Sequence, residues 1–331
     1  MNEGRPADSV PAASLSEEPA GSEGSTGLVR YRKATLASAV LLVFIIWTGA
    51  AVRLSGSGLG CPNWPTCKDG QVVPARGSHA QIEFGNRVIT GLCLLAATIA
   101  VLGAFRLRPV RRDLRRLAVI VVIGLFGNAV VGGMIVLLHL KPISVIAHFL
   151  LAIAVLTFGL ILHFQSGRLV QWSRARPVAR HGVVALGVIA GAAFALGTVV
   201  TASGPHGGDP DVERLAFSGR DVARLHSVAD WLLLVLVIGI GVGAHHAGER
   251  EVVRRVSVTL GLAVAQGIVG YFQYFRGVPV GLVMVHVSLA SLLWCSLVWM
   301  ADGMVRVTSP VVLRDGSPLA SWPRSVDAPA R

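Results

Sequence analysis

With 331 residues, 53% of them hydrophobic and only 15% charged, the chain carries far less charge than the roughly 25% usual in soluble domains, which excludes an ordinary soluble enzyme. A formal net charge of +12 invites a nucleic-acid reading. Aromatic residues are only 6%, however, no basic recognition helix stands out, and the arginines fall between long apolar runs, where a membrane topology needs them.

The first 27 residues are rich in Ser, Glu, Ala, Gly and Pro. They lack the basic start and apolar core of a signal peptide, so residues 1–30 read as a disordered cytoplasmic tail. Residues 306–331 read the same way. Between them lie eight apolar runs of the length that crosses a bilayer as a helix: 35–53, 81–105, 117–138, 143–164, 182–202, 222–244, 256–275 and 280–303. The connections alternate in charge. Arg30, Arg32 and Lys33 precede the first run. Arg106, Arg108, Arg111, Arg112, Arg115 and Arg116 follow the second; Arg168, Arg174, Arg176 and Arg180 the fourth; Arg250, Arg254 and Arg255 the sixth. The positive-inside rule then predicts a multi-pass protein of the cell membrane with both termini cytoplasmic.

The first outward loop contains Cys61 and Cys67. Two cysteines in a short loop on the oxidising side favour a disulfide; a metal site would want a second cysteine pair. Cys93 and Cys295 lie within spans and read as apolar filler.

The chain also resembles itself. Val130-Val131-Gly132-Gly133 matches Ile268-Val269-Gly270-Tyr271, and Val145-Ile146-Ala147-His148 matches Val283-Met284-Val285-His286, both at an offset of 138 residues. The segment 49–56 matches 197–204 at an offset of 148, and the second span aligns with the sixth at 140, which sets Asn86 opposite His226. Four crossings per copy return the chain to its starting side, so the copies are expected to run parallel. The predicted fold is an all-α integral membrane protein. It comprises two tandem four-helix bundles, 31–166 and 182–305, joined by a linker at 167–181 and related by a pseudo-two-fold axis along the membrane normal.

Of ten histidines, His163, His181, His245 and His246 sit at cytoplasmic span ends and His79, His139 and His206 in or near outer loops, which leaves His148, His226 and His286 within spans. A lone intramembrane histidine often just hydrogen-bonds a neighbouring helix. Here His148 and His286 share a repeat position, while His226 and His286 lie on different helices at similar depth. Two imidazoles facing each other at one depth can ligate a heme iron from both sides. Zinc would need three or four converging ligands, and no Cys or acid pattern completes such a set.

Three segments resemble the heme A synthase family: 49–67 (GAAVRLSGSGLGCPNWPTC), 82–87 (IEFGNR) and 203–209 (SGPHGGD). With the histidine pattern, the resemblance extends over about 30–305. It implies oxidation of a heme O methyl to a formyl, giving heme A for terminal oxidase assembly. It further implies a heme b cofactor in the C-terminal bundle on His226 and His286, and the substrate heme in the N-terminal bundle with His148 as iron ligand. Glu83 becomes the catalytic acid–base group, with Asn86 and Arg87 beside it at the substrate-heme site, and Cys61 and Cys67 match the family's outer-loop cysteine pair. The family pattern in the second span is Glu-x-x-His-Arg, and this chain has Asn86 at the histidine position. The N-terminal heme is therefore expected to be five-coordinate through His148, or to take another ligand. Implied partners are heme O, the bilayer, a heme O synthase and a membrane electron acceptor, with oligomeric state open and no nucleic acid. The structural alternative for Glu83 and Arg87 is a plain intrahelical ion pair, and for the cysteines a staple. A non-catalytic diheme b-type cytochrome would use the histidines equally well. A parallel-repeat transporter is disfavoured because the midplane helices are unbroken.

Overall fold

The computed structural model describes residues 22–305, apart from 69, 75, 76, 109 and 168–176. The expected tails beyond those limits, and most of the linker with Arg168, Arg174 and Arg176, lie outside the described residues. Eight helices follow in chain order: α1 (Ser22–Leu54), α2 (Ser78–Arg106), α3 (Arg112–Leu137), α4 (Pro142–Ser166), α5 (Pro177–Ser203), α6 (Gly219–His246), α7 (Arg250–Phe275) and α8 (Val280–Met304). All eight are long and apolar enough to cross a membrane, and among the described residues there is no strand beyond an isolated bridge between Lys68 and Gln71. This is an all-α, eight-span membrane protein.

The helices run further than the apolar stretches. α1 begins at Ser22 rather than near 35, α2 at Ser78 and α6 at Gly219. Backbone hydrogen bonding continues past the point where the side chains stop being apolar, so hydropathy marks only the lipid-immersed part. At the start of α6, the Ser218 side chain accepts from the Asp221 amide, satisfying one of the orphan donors of the first turn.

Each set of four helices closes a ring. α1 packs on α2 and α4 while α3 packs on the same two; α5 likewise meets α6 and α8, and α7 joins them on the far side. In neither ring do the backbones of the diagonal pairs α2–α4 and α6–α8 come within 8 Å of each other, so only side chains meet across the ring. The rings meet through α1 with α8, α4 with α5, and α4 with α8. Polar anchors stitch that seam: the Trp47 indole donates to Ser291 Oγ at 2.7 Å and the Trp294 indole to Thr157 Oγ1 at 2.8 Å. Phe194 packs edge-on against Trp294, with centroids 4.7 Å apart.

The 138-residue offset reappears in the tight turns. After α3, the amides of Leu138, His139 and Leu140 bond the carbonyls of Met134, Val136 and Ile135. After α7, the amides of Arg276, Gly277 and Val278 bond those of Phe272, Tyr274 and Gln273. Both turns pass through the left-handed region, at His139 (φ 52) and Leu140 (φ 56), then at Gly277 (φ 75) and Val278 (φ 60). A β-branched residue is a rare occupant there.

At the arginine-rich end of α7 and α8, Arg255 is 2% exposed. It bonds Glu251 at 2.8 Å and Asp302 at 3.3 Å and lies over the Trp299 ring. A buried guanidinium is tolerable only when so fully partnered. Cys93 is buried and its thiol points at the Leu41 carbonyl, and Cys295 is half-buried, both serving as packing.

Candidate functional site

The three intramembrane histidines share one local design. Each ring lies against a glycine of the helix next to it. A methyl group built on Gly132 of α3 would sit 3.0 Å from His148 Cε1; on Gly197 of α5, 3.2 Å from His226 Cε1; on Gly270 of α7, 3.1 Å from His286 Cε1. A bare Cα is what lets an imidazole approach the helix backbone so closely. The fourth equivalent pair is Gly49 of α1 with Asn86 of α2, where the nearest atom, Asn86 Oδ1, stands off at 4.0 Å. Glycine and ring partner recur at the offsets read from the sequence.

In the C-terminal ring, His226 of α6 and His286 of α8 face each other across the interior. Their ring centroids are 6.5 Å apart and their planes cross at 83°. The Gln266 amide nitrogen donates to His286 Nε2 at 3.1 Å, and Asp230 Oδ2 lies 3.4 Å from His226 Nε2. The Nδ1 atoms of His148, His226 and His286 are all buried without a hydrogen-bond partner. Such orphans are costly, and their recurrence at three equivalent places points to sites built for a bound group.

These residues fit heme. An imidazole nitrogen sits about 2 Å from a first-row metal ion, so two rings flanking one ion stand with centres roughly 6 Å apart. The His226–His286 separation is of that size. Among the described residues no cluster of three or more His, Cys, Asp or Glu could hold a metal ion, whereas a porphyrin brings four of its own ligands and asks the protein for only one or two.

In the N-terminal ring, α2 presents Glu83, Asn86 and Arg87, and α4 presents His148. Glu83 is 5% exposed. Its Oε1 accepts from Arg87 at 2.6 Å and its Oε2 from the Cys61 amide at 2.7 Å. The intrahelical ion pair is therefore present, and both carboxylate oxygens are engaged. Arg87 also donates to the carbonyls of Cys61, Asn63 and Thr66, each at 3.0 Å, and more distantly to Pro65 at 3.5 Å. One guanidinium thus grips the whole loop between Cys61 and Cys67, which the disulfide closes with its Cα atoms 4.3 Å apart. From that loop Trp64 reaches across to α3 and packs its indole on Gly133, beside the glycine that seats His148.

The segment 203–209 has a different job. The Gly58 amide bonds the Gly208 carbonyl at 2.9 Å, and Arg53 donates to the His206 carbonyl at 3.0 Å. His206 Nε2 donates to the carbonyl of Val278 at 2.8 Å. The stretch ties the end of α1 to the α7–α8 turn and locks the two rings together at the disulfide end. Sequence reading overlooked Gln266, Asp230, Trp64 and Thr48, whose hydroxyl donates to Asn86 Oδ1 at 2.8 Å. A signal existed for one of them: Gln266 stands 138 residues after Asn128, another buried amide of α3 with an orphaned oxygen.

Residues 32–205 match COX15-CtaA, described as a cytochrome oxidase assembly protein. That stretch takes in the first ring from residue 32 of α1 onward, the disulfide loop and α5. The chain belongs to the COX15-CtaA family. Among similar proteins, the heme A synthase of Symbiobacterium thermophilum is 35% identical over 138 residues, covering 40% of this chain and 42% of that one. The heme A synthase of Bacillus pumilus is 32% identical over 125 residues, 37% of this chain and 39% of that one. A protoheme IX farnesyltransferase of Thermus thermophilus is 43% identical over 82 residues, 24% of this chain but 13% of that one. The chain thus spans about two fifths of the length of the heme A synthases it matches.

Proposed function

We propose that this COX15-CtaA member is a heme A synthase, an oxidoreductase converting a methyl group of heme O into the formyl group of heme A. The observation that carries the reading is the repeated imidazole-on-glycine seat, placed in a chain whose relatives bear that name. One ring, with His226 facing His286, suits a resident heme b. The other, with His148 but no facing histidine, suits a substrate heme. Bound heme b would supply a one-electron redox centre.

The protein's own residues supply holding and proton handling. His148 holds the substrate from α4. Glu83 takes up a proton as the methyl carbon loses hydrogen, and its ion pair with Arg87 holds the carboxylate in place for it. A carboxylate in this setting also stabilises positive charge developing on the porphyrin. The arginine alternation supports a cell-membrane protein with both termini cytoplasmic, which puts the disulfide loop outside. The matching offsets support two parallel bundles, 31–166 for substrate and 182–305 for heme b, related by a pseudo-two-fold axis. The formyl oxygen would come from water, and the four electrons and four protons that the methyl-to-formyl step releases would leave to a membrane electron acceptor and to the solvent; a heme O synthase would supply the substrate, and the Thermus relative's name agrees with that neighbourhood.

Co-expression with a heme O-producing enzyme, followed by pigment extraction, tests the reading: heme A is expected, and heme O alone would overturn it. In the same assay Glu83→Gln should cut the heme A yield at least tenfold at equal protein level, and an unchanged yield would remove Glu83 from the chemistry.

A further inference from the structure

The two rings differ at one position that matters. Where α6 carries His226, α2 carries Asn86, a shorter side chain whose amide makes a poor iron ligand. The rest of the seat is kept, with a glycine on the adjacent helix and a histidine on the diagonal one. The amide is also fixed in orientation. Thr48 Oγ1 of α1 lies 2.8 Å from Asn86 Oδ1, closer than the 3.2 Å to its other acceptor, the Ile45 carbonyl. With its oxygen engaged by Thr48, the amide has its NH2 group left as the donor it can offer to a ligand. A methyl on Gly49 would stand 4.0 Å from the amide, whereas one on Gly197 would stand 3.2 Å from the His226 ring, so Asn86 sits further off its neighbouring helix than the histidine does.

We propose that Asn86, oriented by Thr48, is a hydrogen-bond donor to a small exogenous ligand carried by the N-terminal heme iron on the face opposite His148. This rests on the heme reading above and adds to it the class of ligand accepted: a diatomic or small anion with a lone pair toward α2. A second histidine would close that face; an amide holds it open and polar. A donor aimed at an iron-bound ligand strengthens its binding because the site excludes competing water.

The test uses the full chain, purified in detergent after co-expression with a heme O-producing enzyme, with carbon monoxide and cyanide as probes. In the wild type, one heme of the two should bind carbon monoxide when reduced. Asn86→Leu, close in shape but without the donor, should still bind it, with the C–O stretch moved to higher frequency and cyanide affinity weaker by about tenfold, the scale of one hydrogen bond. Thr48→Val should shift both readouts in the same direction by less. Asn86→His should abolish carbon monoxide binding and add a second low-spin heme to the optical spectrum. The proposal is overturned if Asn86→Leu and Thr48→Val keep the wild-type stretch and cyanide affinity, or if both wild-type hemes ignore carbon monoxide. Protein with no Soret band at all would overturn the heme assignment too, which separates the two failures.

Discussion

At the scale of single residues, the glycines are the most exacting positions. His286 rests so close to α7 that a methyl on Gly270 would force the ring to move by a few tenths of an ångström or more. Overpacking of that kind costs on the order of 1–3 kcal/mol where the neighbour cannot yield. Gly270→Ala is therefore expected to lower heme b retention several-fold through purification, read as the heme-to-protein absorbance ratio. Gly267, one turn earlier on the same helix, has open space around its Cα. Gly267→Ala should leave the ratio unchanged, which separates the seat from a general intolerance of α7 to alanine. Glu83 shows the limit of reading residues from sequence. A carboxylate four places before an arginine on an apolar helix permits either an ion pair or a proton-transfer role, and spacing alone cannot separate them. The fold shows the pair formed and the Cys61 amide bound as well. Thr48 gave no signal, because a lone polar residue within an apolar run acquires meaning only from the side chain it meets on another helix.

At the scale of elements, the eight spans were legible because lipid imposes a single rule on every crossing segment, namely twenty or so apolar residues with internal backbone pairing. Their true ends were not, since helices continue into polar turns that hydropathy does not count. The loop between Cys61 and Cys67 was legible as a disulfide, but its attachment to α2 through Arg87 was not. Arg87 is 20% exposed and reaches four carbonyls at once, a task suited to a planar fork of donors. A lysine offers a point charge on a flexible stem. Arg87→Lys should thus lower the melting temperature of the detergent-solubilised protein, with a loss of roughly 3–6 kcal/mol if two charge-assisted hydrogen bonds go unreplaced. An unchanged melting curve would mean the loop is held by the disulfide alone.

At the scale of the whole molecule, the two four-helix rings are joined by a seam whose polar anchors differ from one another. Trp47 bonds Ser291 from α1 to α8, and Trp294 bonds Thr157 from α8 to α4. Ser291 is 1% exposed, so its hydroxyl has no water to fall back on. A double-mutant cycle of Trp47→Phe and Ser291→Ala, followed by thermal unfolding, should give a coupling energy of about 1 kcal/mol. A value near zero would show that apolar packing alone carries the seam. Nothing in the sequence indicated that the 203–209 segment would cross from one ring to the other. Its Gly, Pro and His composition marks a loop without naming the partner.

The guanidinium of Arg87 addresses oxygens that every amino acid supplies, whatever its side chain. The strap it secures should accordingly accept wide variation at Asn63 and Thr66 without coming loose. Trp64 is the exception, since its indole, not its main chain, meets Gly133. Saturation mutagenesis at Asn63, Trp64 and Thr66 should find two permissive sites around one that refuses replacement.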